Sequence, residues 1–167
     1  EFRRVLFRSD KKFHHIVTLN PEIVVKASEN KQLKSWIQEA DLCLPDGIGL
    51  SLAAMLKKKN RLKRITGVNL TSELLKSGDF TFYFVGASEK VMKKTMVRMR
   101  AQYPQSVVKG FHHGYITSEQ ERSIYEDIEL QSPDIVLVGM GFPRQEQFLS
   151  GLKSRLKKGV GIGRSEE

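Results

Sequence analysis

The 167-residue sequence contains a single cysteine, Cys43, and no long apolar run. One cysteine excludes a disulfide framework and favours a reducing compartment. Because Cys43 lies inside a short apolar segment, we expect a small buried side chain there. No stretch approaches the about 20 apolar residues that span a bilayer, so we expect any membrane contact to be peripheral.

Motifs for metals and common nucleotide cofactors are also missing. No predicted strand is followed by G-x-G-x-x-G, and neither a Walker-type loop nor a D-x-D pair occurs. The adjacent pairs His14-His15 and His112-His113 do not have the spacing of good metal ligands. A site without a metal would need cationic side chains or helix N-termini to stabilise a leaving diphosphate.

The two ends of the chain are related at the level of codons. "LFRS" at the start and "RSEE" at the end can be encoded by DNA strands that are reverse complements. We therefore interpret residues 1–9 and 164–167 as non-native, adapter-derived residues and exclude them from fold reasoning. One domain is predicted over residues 10–163, and we expect the natural sequence to be incomplete at both ends.

The chain is basic, with a formal net charge of +9 and 40% hydrophobic residues. The hydrophobic content is typical of a globular domain, and the charge predicts an anionic partner. Nucleic acid, an anionic membrane surface and a phosphorylated substrate all fit at this point. Within the basic segment "LKKKNRLKRITG", Lys57–Lys59 are typical of a solvated helix end, whereas Arg64 leads into a turn and could point inward.

Short β-rich runs alternate with longer helical patterns along the chain. This order predicts a single α/β, Rossmann-like domain with a mainly parallel sheet and helices on both faces. The predicted strands are His14–Leu19, Asp41–Pro45, Phe80–Gly86, Ser106–Phe111, Asp134–Met140 and the final "GVGIG".

The predicted helices have recognisable starts. Asn20-Pro21 opens one helix that runs to Ala40, Ser88 opens another, and Ser118 with Glu121 forms a capping-box pattern. Two apolar stripes should pack in the core, and they consist of Met92, Met96 and Met99 and of Phe148, Leu152 and Leu156.

Polar loops follow four predicted strands, at the edge where open α/β sheets bind ligands. They are "TLNPE", "PDGIG", "VGASE" and "GMGFPRQE". Helix N-termini should converge there and favour an anion such as a diphosphate. Gly86, Gly139 and Gly141 would allow close approach of a ligand to the backbone, or they serve only as turns.

Asp46, in Pro45-Asp46-Gly47, has two interpretations. It could simply cap a helix by accepting bonds from nearby N–H groups. Alternatively, the same helix terminus would favour an ionised carboxylate that is available as a general base. Residue chemistry alone leaves both open.

Taken together, these loops with "RITGVNL" and "GFHHGYI" resemble the WecG/TagA/CpsF family of bacterial glycosyltransferases over nearly all of residues 10–163. The resemblance implies metal-independent, inverting transfer of a sugar from a UDP donor, without a cofactor. The sugar is typically N-acetylmannosamine, or its uronic acid. The acceptor is typically undecaprenyl-diphosphate-linked N-acetylglucosamine, on the way to teichoic acid or another surface polysaccharide. It also implies a cytoplasmic protein, peripheral at the inner face of the bacterial plasma membrane, and leaves a homo-oligomer open.

The resemblance assigns roles to individual residues. Asp46 matches the proposed general base, and the glycines at 86, 139 and 141 would line the nucleotide crevice. The residues that match substrate-binding positions are Thr18, Asn20, Arg64 and Gln145. Family members continue past "GVGIG" into a basic appendage with arginines, so we expect weak or no turnover from this chain.

Two other classes compete with this interpretation. A dehydrogenase or methyltransferase would require a glycine-rich turn where the first strand ends in "TLNPE". A basic nucleic-acid-binding module without catalysis would explain the charge, but RRM, KH and helix-turn-helix signatures are missing. We therefore expect no nucleic-acid partner. We expect the basic charge to face an anionic lipid surface and a diphosphate instead.

Overall fold

The computed structural model describes residues 12–46 and 67–163. The described strands form one sheet of six in the order β2-β1-β6-β5-β3-β4, and every neighbouring pair is parallel. They are β1 (Phe13–Leu19), β2 (Leu42–Pro45), β3 (Thr81–Gly86), β4 (Val107–His112), β5 (Ile135–Gly139) and β6 (Gly159–Gly163). The predicted parallel α/β domain is confirmed.

Helices cover both faces of this sheet. Within the described ranges they are α1 (Pro21–Glu29), α2 (Lys31–Gln38), α3 (Gly67–Ser77), α4 (Glu89–Gln102), α5 (Ser118–Gln131) and α6 (Arg144–Lys153). Successive strand residues point to opposite faces, so β3 sends Phe82 to one core and Tyr83 to the other. The first core includes apolar residues of α3 and α4, and the second includes those of α5 and α6.

Several helix predictions are confirmed. Asn20 caps α1 by accepting a hydrogen bond from the Ile23 backbone N–H at 2.8 Å, and Ser88 caps α4. The three methionines of α4 are buried in the first core, as their spacing predicts. These local signals hold because capping and apolar periodicity agree with the tertiary packing.

Four details differ from the predictions. The helix expected from Pro21 to Ala40 is two helices, because the Asn30 side chain accepts from the backbone N–H groups that begin α2. The capping box of α5 is formed by Thr117 with Gln120, one residue earlier than expected. Leu156 lies beyond the end of α6, although it still packs against the second core. Cys43 is exposed, because β2 is the edge strand of the sheet.

In residues 12–46 and 67–163 no helix combines the length and the apolar character needed to cross a bilayer.

Candidate active site

The carboxyl ends of β1 and β6 are tied together by Thr18. This side chain is fully buried, and its hydroxyl donates a 2.8 Å hydrogen bond to the Gly163 carbonyl oxygen. The hydroxyl proton is committed to that carbonyl, so any further bond that the oxygen makes is one that it accepts. Thr18 therefore lies in the sheet edge that the sequence predicted for the site.

Asp46 follows β2 at the same edge and is 5% exposed. Its backbone N–H donates to the Leu19 carbonyl at 2.7 Å, and its Oδ2 accepts from the Gly67 backbone N–H at 3.3 Å. Gly67 is the first residue of α3, so the carboxylate lies at the N-terminus of that helix, where free N–H groups favour negative charge. The capping role and the ionised state that a base needs are thus compatible.

Close packing brings Thr18 and Asp46 together around Gly67. A Cβ atom added at Gly67 would lie 3.1 Å from the Thr18 methyl carbon and 3.8 Å from Asp46 Oδ2. Both side chains therefore contact the same helix start from adjacent strands.

The start of α6 contributes a second polar pair, Gln145 and Glu146, whose side chains are 1% and 0% exposed. The Gln145 Nε2 group donates to Glu146 Oε1 at 2.9 Å. A Cβ atom at Gly163 would lie 3.2 Å from Gln145 Nε2 and 3.3 Å from Glu146 Oε1, so the pair packs against the end of β6. Gly163 thus separates this pair from Thr18 by one residue's width.

Sequence reasoning identified Gln145 but missed Glu146. Burial raises the pKa of Glu146 to about 7, while the bond from Gln145 and its own backbone N–H act in the opposite direction. α2, β1, β5 and β6 all pack against α6. β5 and β6 carry no titratable side chain, and the groups that the others carry, His14, His15, Lys31 and Lys34, do not contribute to the shift. The available signal was a carboxylate next to Gln145 in "PRQE".

Glu146→Gln should change how stability depends on pH. Because the folded-state pKa of about 7 lies above the ordinary 4.5, the wild-type protein should lose free energy of unfolding as the pH rises through this interval. In the wild-type protein this loss of free energy of unfolding reaches roughly 3 kcal/mol. Glu146→Gln should not show it, because an amide does not ionise. Urea unfolding from about pH 5 to 8 measures this difference. If wild type and Glu146→Gln had the same pH profile of stability, Glu146 would be ionised throughout. The control is Glu29→Gln, which changes an exposed carboxylate.

A cavity of about 540 Å³ lies beside the start of α3, at the same edge of the sheet. It lies between α3 and α4, over the carboxyl half of β3, β5 and β6, and its volume is in the range of small-molecule sites. Gly67 belongs to its wall, so the helix residue that binds Asp46 also borders the cavity. Most of the wall is apolar, and polar groups come from residues such as Thr71, Ser72 and Arg98.

The three predicted crevice glycines differ in their surroundings. Gly86 and Gly139 line the cavity, whereas Gly141 is not among its lining residues. Gly141 has a φ of 77°, and its carbonyl accepts from the Gln145 backbone N–H, so the turn before α6 explains it. Gly86 has a φ of 154° and packs against the Gly139 backbone, while a Cβ at Gly139 would meet nothing within 4 Å.

Two predicted substrate-binding residues stand apart. Asn20 follows Thr18 at the end of β1, and its side-chain oxygen is used to cap α1. Arg64 lies outside the described residues. The structure therefore brings Thr18, Asp46 and Gln145 to one edge, and places Gly86 and Gly139 in the adjoining cavity.

Among the residues described, histidine and acidic side chains do not cluster as metal ligands do. In the part of the chain that the structure describes, no three His, Cys, Asp or Glu side chains are grouped so that they could hold a metal ion. Burial and the charge of Lys153 lower the pKa of His15 to about 4, so this buried imidazole is neutral near pH 7.

This parallel α/β fold, with a carboxylate and a cavity at the carboxyl edge of its sheet, is of the Rossmann-like class, whose members bind ligands at this edge. Residues 2–165 match the profile described as the Glycosyl transferase WecG/TagA/CpsF family. The chain belongs to this family, and the predicted resemblance is confirmed.

Two similar curated relatives carry the same name, N-acetylglucosaminyldiphosphoundecaprenol N-acetyl-beta-D-mannosaminyltransferase. The protein from Bacillus spizizenii is 32% identical over 151 residues, which cover 89% of this chain and 58% of the relative. The protein from Staphylococcus aureus strain NCTC 8325 is 33% identical over 157 residues, which cover 91% of this chain and 61% of the relative. The chain therefore spans about three fifths of the length of these relatives.

Proposed function

We propose that this chain is the core of an inverting, metal-independent glycosyltransferase that uses a UDP-sugar. The sugar is N-acetylmannosamine or its uronic acid, and the acceptor is undecaprenyl-diphosphate-linked N-acetylglucosamine. The observation that carries the proposal is Gly67, which borders the cavity and donates its N–H to Asp46. A bound donor and a basic carboxylate would thus be neighbours. The names of the relatives supply N-acetylmannosamine and the acceptor, and the family resemblance adds the uronic acid.

Asp46 would act as the general base. Its carboxylate would take the proton of the acceptor hydroxyl while that oxygen attacks the anomeric carbon and UDP leaves from the opposite face. One displacement of this kind inverts the anomeric configuration and needs no covalent sugar on the enzyme. The α3 N-terminus favours the negative charge of Asp46 before the proton is transferred.

The cavity would hold the UDP part of the donor. Its polar edge contains Gly86, Ala87 and Gly139, where backbone groups can approach a ligand closely, and it continues between α3 and α4. A nucleoside has apolar faces and a few hydrogen-bonding groups, which suits a largely apolar wall with several polar side chains. Arg64 would lie near the diphosphate and compensate the charge that develops on the leaving group.

The acceptor implies work at a membrane. The net charge of +9 would favour peripheral contact with the anionic inner face of the plasma membrane, where a lipid-linked diphosphate is presented. A homo-oligomer remains compatible with this arrangement.

UDP should bind this 167-residue chain equally well with and without EDTA. Because binding would rest on backbone groups and cationic side chains, chelation should change the dissociation constant by less than about twofold. Isothermal titration calorimetry measures both conditions. A loss of binding in EDTA would contradict the metal-independent proposal, and steeply salt-dependent binding of nucleic acid without UDP binding would favour the alternative.

A further inference from the structure

The Gln145 and Glu146 pair is buried to a degree that a helix start does not require. Both side chains are at most 1% exposed, and they bond to each other through Gln145 Nε2 and Glu146 Oε1. Within the described residues, the other oxygen of each side chain has no hydrogen-bond partner. Buried acceptors without partners cost free energy, so an arrangement that retains two of them calls for a functional reason.

The pair fixes which end of the Gln145 amide faces the end of β6. Nε2 is the amide atom nearest to the Cβ position of Gly163, and it is also the atom that bonds Glu146. Once Glu146 is ionised, above about pH 7, it only accepts hydrogen bonds, so flipping the amide would place two oxygen atoms against each other. The carbonyl oxygen of Gln145 is therefore directed away from Gly163.

We propose that Glu146 is a positioning residue that holds the Gln145 amide in this orientation, so that Gln145 offers its carbonyl oxygen to the sugar of the substrate. A carbonyl oxygen accepts from hydroxyl or acetamide N–H groups, both of which an N-acetylated sugar carries, and it repels a diphosphate, which only accepts. The inference rests on the proposed function. Because the oxygen is covered in this structure, the covering groups must move when the ligand binds.

A simpler role for Glu146 is to cap α6. The N-cap residue Pro143 makes no side-chain capping bond, and the Glu146 carboxyl accepts from its own backbone N–H. A cap would support the helix without affecting how Gln145 meets a ligand. Binding and stability measured on the same variants separate the two roles.

The test compares Glu146→Gln, Glu146→Leu and Gln145→Met at about pH 8, with UDP and UDP-N-acetylmannosamine as probes in calorimetry. In Glu146→Gln the new amide oxygen can still accept from Gln145, so we expect affinities within about twofold of wild type. Glu146→Leu and Gln145→Met should weaken the binding of UDP-N-acetylmannosamine about tenfold and leave the binding of UDP unchanged, because only the sugar contact is lost.

Glu146→Leu should be at least as stable as wild type, because it removes a buried carboxylate. Wild-type affinity for the UDP-sugar in Glu146→Leu would overturn the proposal, as would equal weakening of both probes.

A second measurement needs no ligand. The side-chain amide signals of Gln145, assigned by their absence in Gln145→Met, should shift in nitrogen-15 NMR spectra with a midpoint near pH 7, as Glu146 loses its proton. The shift should vanish in Glu146→Gln, and Gln145 signals that respond equally to pH in this variant and in wild type would overturn the pairing. Wild-type signals that do not respond to pH and also coincide with those of Glu146→Leu would overturn it as well. If wild type binds no UDP-sugar, the proposed function fails, while the NMR result still decides the pairing.

Discussion

Asp46→Asn should lower turnover by about 10² to 10⁴, the range typical of a lost general base. The amide keeps the size of the side chain, and its oxygen can still accept the hydrogen bond that the Gly67 N–H donates to Asp46 Oδ2. What it loses is the ability to take a proton from the acceptor hydroxyl. The assay is transfer of the sugar to a lipid-linked acceptor, with a protein that extends to the length of the relatives.

Binding measurements separate catalysis from structure in this variant. UDP-sugar affinity should stay within about threefold of wild type, because the cavity is unchanged. Glu29→Gln removes the same charge from an exposed position at the end of α1 and should leave turnover unchanged. If Asp46→Asn turned over at the wild-type rate, Asp46 would be a helix cap and the base would lie elsewhere.

Gly86→Ala should destabilise the fold by about 3 kcal/mol or more. A methyl group at residue 86 would lie 2.3 Å from the Gly139 carbonyl oxygen and 2.7 Å from its carbonyl carbon. Both atoms belong to the backbone of the central strand β5, which cannot move aside without breaking its pairing with β3. Chemical denaturation measures the loss.

Gly139→Ala is the matched control on the neighbouring strand. A methyl group at residue 139 meets no atom within 4 Å, so stability should change by less than about 0.5 kcal/mol. Because Gly139 lines the cavity, the methyl group should enter the space of the ligand and weaken UDP binding at least tenfold, a loss of roughly 1.4 kcal/mol. Unchanged UDP binding would contradict the placement of the nucleotide, and equal stability of both variants would contradict the packing at Gly86.

Local signals in the sequence predicted most of the fold. The apolar runs and the helix starts at Asn20 and Ser88 depend on neighbouring residues, and they located the strands to within one or two residues. The break between α1 and α2 at Asn30 was harder to predict, because the neighbouring residues are helix formers. It is visible only in the structure, where the Asn30 side chain accepts hydrogen bonds from two backbone N–H groups. Cys43 was predicted to be buried because an apolar run does not reveal that its strand lies at the edge of the sheet.

The site was predictable only in part. Strand ends in a parallel sheet place Thr18, Asp46 and Gln145 at one edge, and that followed from the order of the elements. The contact of Asp46 with Gly67 spans 21 positions, and the burial of Glu146 depends on packing against β6. Such long-range contacts have no local pattern, so only the structure shows that Gly67 contacts Asp46 and that Glu146 is buried beside Gln145.

A structure of this chain with UDP tests the central claim most directly. We expect the nucleoside in the cavity between α3 and α4, near Gly86 and Gly139, with the diphosphate directed toward the start of α3 and separated from Asp46 by the space of the transferred sugar. UDP bound away from this cavity, or a diphosphate too far from Asp46 for one sugar to span the gap, would contradict the claim that the two form one active site.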